Sequence, residues 1–182
     1  MPITAEEAQK VFNESECLFT AKQVQAAMDV MAADIARAVS GRDPLILCVM
    51  TGGIIAVGQL LPRLNFPLQL DYIHATRYAG ETQGGALRWI SKPRAALRGR
   101  VVVAIDDILD EGITLAAIVQ SCKDEGASKV YSAALVNKRH NRKNGFRTDF
   151  TGLEVDDRYV FGFGMDYKGY LRNAEGIFAA KE

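Results

Sequence analysis

The chain is poor in the residues that mark several specialised classes of protein. Its three cysteines, Cys17, Cys48 and Cys122, are odd in number and share no Cys-x-x-Cys spacing, so there is neither a disulfide framework nor a thiolate cluster for zinc. The two histidines, His74 and His140, stand alone and add no metal-ligand pattern. Neither sign of charge is in excess: 22 basic side chains balance 22 acidic ones, and no global field draws the protein to nucleic acid or to an acidic membrane. No apolar run approaches the ~20 residues that span a bilayer. The segment Met1 to Glu7 lacks the basic start and apolar core of a signal peptide. The expectation is a soluble, cytoplasmic protein with reduced thiols. At 182 residues the chain suits one domain, 1–182, because domains commonly hold ~100–200 residues.

What is present is an alternation of strand-like and helix-like segments. Thr20 and Gln23 form a capping box ahead of Val24, Ala27, Met28, Met31, Ile35 and Ala38, which recur at helical spacing until Gly41. Leu45–Met50 is an apolar strand that runs through Thr51-Gly52-Gly53 into the helix-like segment 54–64. That glycine turn reads either as an anion cradle or as an ordinary tight turn. Residues 68–74, 101–105, 130–136 and 158–163 supply further strands. Strands separated by helices predict an α/β fold, a mostly parallel twisted sheet flanked by helices on both faces. From Ala75 to Trp89 the pattern stops in a glycine-rich polar stretch, a long exposed hairpin or mobile flap. Lys138, Arg139, His140, Arg142 and Lys143 form a local basic cluster, which alone reads as a solvated loop.

The segment Val101 to Leu115 carries the chemistry. A β-branched apolar run ends in Asp106 and Asp107, followed by Asp110, Glu111, Gly112, Ile113 and Thr114 and then a helical pattern. Open α/β sheets bind ligands at the carboxyl ends of their strands. Carboxylates there accept hydrogen bonds from sugar hydroxyls or hold a hydrated Mg²⁺. If the strand is still extended, the two aspartates point to opposite sides and do not act as one chelating pair. A loop opening a helix presents free N–H groups and the positive dipole end to an anion. Gly112 permits a tight turn, and Thr114 is placed to cap the helix. The site suits a phosphorylated, hydroxyl-rich ligand.

Residues Ile105 to Thr114 resemble the phosphoribosyl-pyrophosphate (PRPP) motif of type I phosphoribosyltransferases, with Glu111 where threonine is usual. Further on, Asn137-Lys138-Arg139, Asp149 to Glu154 and Asp157 to Arg172 look like the purine-binding part of hypoxanthine-guanine phosphoribosyltransferases. The resemblance runs over roughly residues 15–178, and the agreement of several separated motifs makes it specific. It implies the type I fold, with a small hood from the terminal segments and a flap over about residues 75–89.

The resemblance also implies roles. Asp106 and Asp107 would meet the ribose hydroxyls and Mg²⁺, and Asp110 to Thr114 would wrap the 5′-phosphate. Asp110 would assist proton removal at purine N7. Lys138 would donate to the 6-oxo group, Tyr159 would stack on the base, and the Val160 backbone would meet its edge. Asp166 would serve a second metal and Arg172 the pyrophosphate, with Thr51 and Gly52 in a pyrophosphate loop where relatives often carry lysine and a non-proline cis peptide. Arg77 and Tyr78 fall where the flap usually carries a Ser-Tyr pair. The implied reaction joins hypoxanthine or guanine to PRPP, giving IMP or GMP and pyrophosphate, in a homodimer or homotetramer with no stable nucleic-acid or membrane partner. Two other classes are open: a regulator binding nucleic acid through the Lys138 to Lys143 loop, and a signalling domain using Asp106 and Asp107 as a phosphoacceptor pocket.

Overall fold

The structure, a computed structural model, describes residues 3–181 except 78–86, and of Arg77 the backbone only. In chain order the elements are α1 (Ala5–Glu14), β1 (Glu16–Phe19), α2 (Ala21–Val39), β2 (Leu45–Met50), α3 (Gly53–Leu60), β3 (Gln69–Arg77), β4 (Leu87–Ser91), β5 (Val101–Leu109), α4 (Ile113–Asp124), β6 (Lys129–Arg139), β7 (Phe150–Asp156), β8 (Val160–Phe161) and β9 (Ile177–Ala179). Local chemistry sets several boundaries. Thr20 accepts from the Gln23 N–H while the Gln23 side chain accepts from the Thr20 N–H, so the capping box opens α2. After α3 a single 3-10 turn, Leu61–Arg63, contains Pro62, which lacks the N–H a continuing helix needs.

The large sheet has the order β4-β3-β2-β5-β6-β7, parallel throughout except for the antiparallel β3–β4 pair. Side chains alternate between its two faces. Val103 and Ile105 of β5 pack with Met28, Ile35, Val57 and Leu60 of α2 and α3, while Val102 and Ala104 pack with Leu115, Ile118 and Cys122 of α4. A strand buried on both faces has no polar side, hence the continuous apolar runs in β2 and β5. From β2 the chain steps through α3 to β3, and from β5 through α4 to β6, in opposite directions along the sheet. The strand order therefore reverses between β2 and β5 and leaves a crevice at their carboxyl ends.

A second sheet, β1-β9-β8, is antiparallel and draws its strands from both terminal regions. The ring of Phe161 stacks on Phe178 at 5.7 Å, and Phe12 of α1 meets Phe178 edge-on at 5.0 Å. The expected strand 158–163 shrinks to β8 and belongs to this small sheet, because Gly162 and Phe163 have φ of 98° and 50° and leave extended geometry. β3 continues to Arg77 and pairs with β4 through Arg77↔Leu87, so the arms of the expected hairpin are a ladder. Its tip, Tyr78 included, lies outside the described residues.

Ile105 is fully buried at the centre of the large sheet, whereas Val30 on α2 is 63% exposed. Ile105→Ala should cost about 2–5 kcal/mol in urea unfolding, and Val30→Ser less than about 0.5 kcal/mol.

Candidate active site

Three glycine-dependent contacts shape the crevice. The loop after β2 packs so closely on β5 that an added Cβ at Gly52 would overlap the Asp107 carboxylate, and one at Gly164, where φ is 107°, would overlap the Gly52 carbonyl. The Met50–Thr51 peptide is cis, and Thr51 is exposed beside Gly52. On the far side, Gly112 takes φ of 84° to turn the chain from β5 into α4, with Asn144 Oδ1 2.8 Å from where a Cβ would stand. A cleft of about 290 Å³ results, lined by Gly52, Asp106, Asp107, Asp110 to Gly112, Thr114, Asp166 and Arg172 among others.

β5 is extended through Leu109, yet Asp106 and Asp107 do not part as alternation predicts. Asp106 Oδ1 accepts from the Asp107 N–H at 2.9 Å, and Asp107 Oδ1 from the Ile108 N–H at 2.8 Å. These bonds fold each carboxyl back along the strand, and the two groups interact directly. Asp107 is 7% exposed. Burial, then the charge of Asp107, push the Asp106 carboxyl well above the usual carboxylate range, and burial raises Asp107 as well. The nearby cation is Arg172, whose Nη1 is 3.9 Å from Asp107 and donates to the Gly164 carbonyl at 2.6 Å, while its Nη2 pairs with Asp166 at 2.7 Å. Asp166 also accepts the Gly169 N–H at 2.7 Å. Arg172 thus lies in an irregular segment.

The phosphate-like loop departs from expectation at its cap. α4 begins at Ile113 with Gly112 as N-cap and no side-chain capping bond, so Thr114 is the second helical residue and does not cap. The Ile113 and Thr114 N–H groups have no carbonyl four residues back within the helix. The Glu111 carbonyl accepts from the Asn144 N–H at 3.1 Å. Its carboxylate is one of the charges that raise the Arg142 pKa, after the Asp157 hydrogen bonds and alongside Asp110.

Asp110 joins this loop to β6. Lys138 Nζ donates to Asp110 Oδ2 at 3.1 Å, and His140 Nε2 is 2.6 Å from Oδ1. Lys138 is no solvated cation, since its side chain is only 12% exposed. Burial works to raise the Asp110 carboxyl, but bonds from His140 and Lys138 outweigh it and hold the group below the usual range. The rest of the basic cluster is paired too: Arg139 with Asp156, Arg142 with Asp157, and Lys143 with Asn137. His140, Arg142 and Asp157 are the contributors that motif reading did not single out. The signal for His140 is its position two residues after Lys138, which puts both on one side of an extended chain.

Tyr159 is 48% exposed and therefore not core; its ring meets Tyr167 edge-on at 5.0 Å. The Tyr159 carbonyl accepts from the Ala180 N–H at 2.9 Å, and antiparallel alternation then turns the Val160 N–H and C=O away from β9, toward the open edge.

A strand-ended acidic pair, a helix-opening loop and a reversal of strand order describe a sugar-phosphate site, and the comparison with known proteins agrees. Residues 16–168 match the family described as "Phosphoribosyl transferase domain". The chain belongs to that family. The sheet with flanking helices is the type I phosphoribosyltransferase fold, and a hypoxanthine phosphoribosyltransferase from Staphylococcus aureus superposes with a TM-score of 0.88 at 24% identity, covering 93% of this chain and 94% of that one. Among relatives, a hypoxanthine-guanine-xanthine phosphoribosyltransferase of Tritrichomonas foetus is 27% identical over 91% of both chains. A hypoxanthine-guanine phosphoribosyltransferase of Bacillus subtilis is 27% identical over 90% of this chain and 92% of its own length.

In a phosphoribosyltransferase without substrate, the acidic pair opposes folding at neutral pH. A carboxyl whose folded pKa lies above its unfolded value stabilises below the unfolded value and loses that contribution as pH rises through the folded one. Asp106→Asn should therefore raise the Tm of the ligand-free protein at pH 7 by roughly 2–4 °C, a gain that disappears below about pH 4. Calorimetry across pH checks both the sign and the window.

Proposed function

We propose that this phosphoribosyltransferase salvages 6-oxopurines, converting hypoxanthine or guanine and PRPP to IMP or GMP and pyrophosphate. The observation that carries this reading is the juxtaposition of Asp110 and Lys138, 3.1 Å apart at the mouth of the cleft. An anion beside a cation suits a base that offers an N–H at N7 and an acceptor at the 6-position, and adenine lacks that acceptor. Lys138 has three N–H donors, so it can hold Asp110 and still donate to the oxo group. The names of the relatives from Tritrichomonas foetus and Bacillus subtilis support the same substrate class.

In the reaction the purine nitrogen forms its bond to ribose C1 as the bond from C1 to pyrophosphate breaks. The proton on the base moves toward Asp110, which its two partners keep ionised and ready to accept. The backbone N–H groups opening α4, with the Thr114 hydroxyl, bind the 5′-phosphate. The loop at Thr51 and Gly52 and the Arg172 guanidinium take the pyrophosphate; Thr51 offers no cationic side chain there, so backbone donors and Arg172 bear more of that charge. Tyr159 stacks on the base and the open edge at Val160 meets its rim; the expected flap residues, the Arg77 side chain and Tyr78, lie outside the described residues.

The residues fit Mg²⁺. Asp106 and Asp107 crowd negative charge beside Arg172, and a hard cation needs only one or two carboxylates beside waters and substrate oxygens. Among the described residues no group of three or more metal-ligating side chains occurs, which suits an ion held largely by its substrate. Asp166 keeps lone pairs for a second ion beyond those used by Arg172 and the Gly169 N–H. Bound there, Mg²⁺ would supply charge neutralisation to the departing pyrophosphate.

The nucleic-acid alternative loses its footing, because the cations of residues 138–143 are engaged with carboxylates and an amide. Among the described residues no helix is long and apolar enough to cross a membrane. The proposed homodimer or homotetramer has an apolar surface available in Ile54, Leu70 and Tyr72, which line one cleft and are exposed.

Purified protein with Mg²⁺ and PRPP, offered hypoxanthine, guanine, xanthine and adenine separately, tests the proposal. Turnover of the first two is expected, with Asp110→Asn slowing it roughly 10²–10⁴-fold and Lys138→Ala weakening use of 6-oxopurines. Turnover of adenine alone would overturn the Lys138 assignment, and turnover unchanged in Asp110→Asn at every pH would overturn that of Asp110.

A further inference from the structure

Asp110 has two oxygens and two protein partners, and the partners differ in freedom. Lys138 reaches Oδ2 at the end of a flexible four-carbon stem. His140 reaches Oδ1 with a ring that is fixed. Its side chain is 3% exposed, and its Nδ1 accepts the Arg142 N–H at 3.1 Å. With Nδ1 occupied as acceptor, the proton of the neutral imidazole sits on Nε2, facing the carboxylate. Arg142 in turn makes two bonds to Asp157, at 2.6 and 2.8 Å, two residues before Tyr159. The ring is therefore held from the segment that leads into the base-stacking residue.

We propose that His140 is the positioning residue for Asp110. It holds Oδ1 through Nε2–H, fixing the carboxylate plane so that Oδ2 and its remaining lone pairs face the base beside Lys138. This deepens the reading of the site above and rests on Asp110 receiving the purine N–H. A carboxylate held by Lys138 alone would swing with the lysine each time that side chain adjusts to the oxo group. The His140 bond gives Asp110 a second anchor that does not move with the substrate. Among the described residues the hydrogen bonds of the His140 ring go to Asp110 and the Arg142 backbone, so its influence on turnover through hydrogen bonding passes through Asp110.

That last property separates a positioning role from simple packing. Turnover of hypoxanthine is measured for wild type, His140→Leu, His140→Gln, Asp110→Asn and the double variant His140→Leu/Asp110→Asn. His140→Leu should lower kcat about ten- to a hundredfold with the KM for PRPP little changed. His140→Gln, which keeps an N–H of similar reach, should recover most of that loss. In the Asp110→Asn background His140→Leu should cost nothing more. Should the leucine variant not fold, His140→Asn, polar but too short to reach Oδ1, replaces it in the cycle with the same expectation. Unchanged kcat in His140→Leu, or a loss that adds in full to that of Asp110→Asn, overturns the inference while the purine reading stands. A wild-type protein that turns over no 6-oxopurine overturns both.

Discussion

The site depends on how closely three stretches of backbone approach one another at the carboxyl end of the large sheet. Gly52, Asp107 and Gly164 come from the β2–α3 loop, from β5 and from the segment after β8, and neither glycine position has room for a side chain. This contact brings the acidic pair under the Thr51 loop and sets Arg172, bonded to the Gly164 carbonyl, over Asp107. Loosening any one of the three would part the Thr51 loop and the acidic pair from Arg172. Sheet topology supplies the crevice itself, since strand order reverses between β2 and β5. The glycines decide how deep it is.

Charge is distributed unevenly around that contact. On one side Asp106 and Asp107 are buried together and favour the protonated form, with Arg172 as their nearby cation. On the other, Asp110 is surrounded by donors and favours the ionised form. Two kinds of carboxylate thus stand within four residues of β5 and its following loop, set apart by surroundings and not by residue type. The first kind would gain from a cation brought beside it; the second is ionised without one.

Much of the large sheet was legible in the sequence because its strands are buried on both faces and read as unbroken apolar runs, as at Leu45–Met50 and Val101–Ile105. The capping box at Thr20 and Gln23 was legible for an equally local reason. The small sheet was not. β1, β8 and β9 hold four, two and three residues, too few to show a period, and they find one another only through pairing between distant segments. At the site, Asp110, Lys138 and Arg172 follow from shared motif order, yet the approach of Asp106 to Asp107 defied strand alternation because each carboxyl turns back to a backbone N–H. Thr114, expected as the cap, lies two residues past it, because Gly112 with its positive φ begins the helix. His140 was hard to see because its partner lies 30 residues away, and its spacing from Lys138 is the one local hint.

The candidate site residues are shared between two sheets, and this has a consequence for how the protein is made. Asp106, Asp107 and Lys138 stand on the large sheet and Asp110 just past its strand β5, but Tyr159 and Val160 stand on or beside β8, which among the described residues pairs with β9 alone, and β9 in turn holds β1. During synthesis from the N-terminus, β1 is among the first strands to emerge and must wait unpaired until Ile177–Ala179 have followed. The part of the candidate site on the large sheet can therefore form on a growing chain before the part beside β8, and the two are joined only once Ile177–Ala179 have been made.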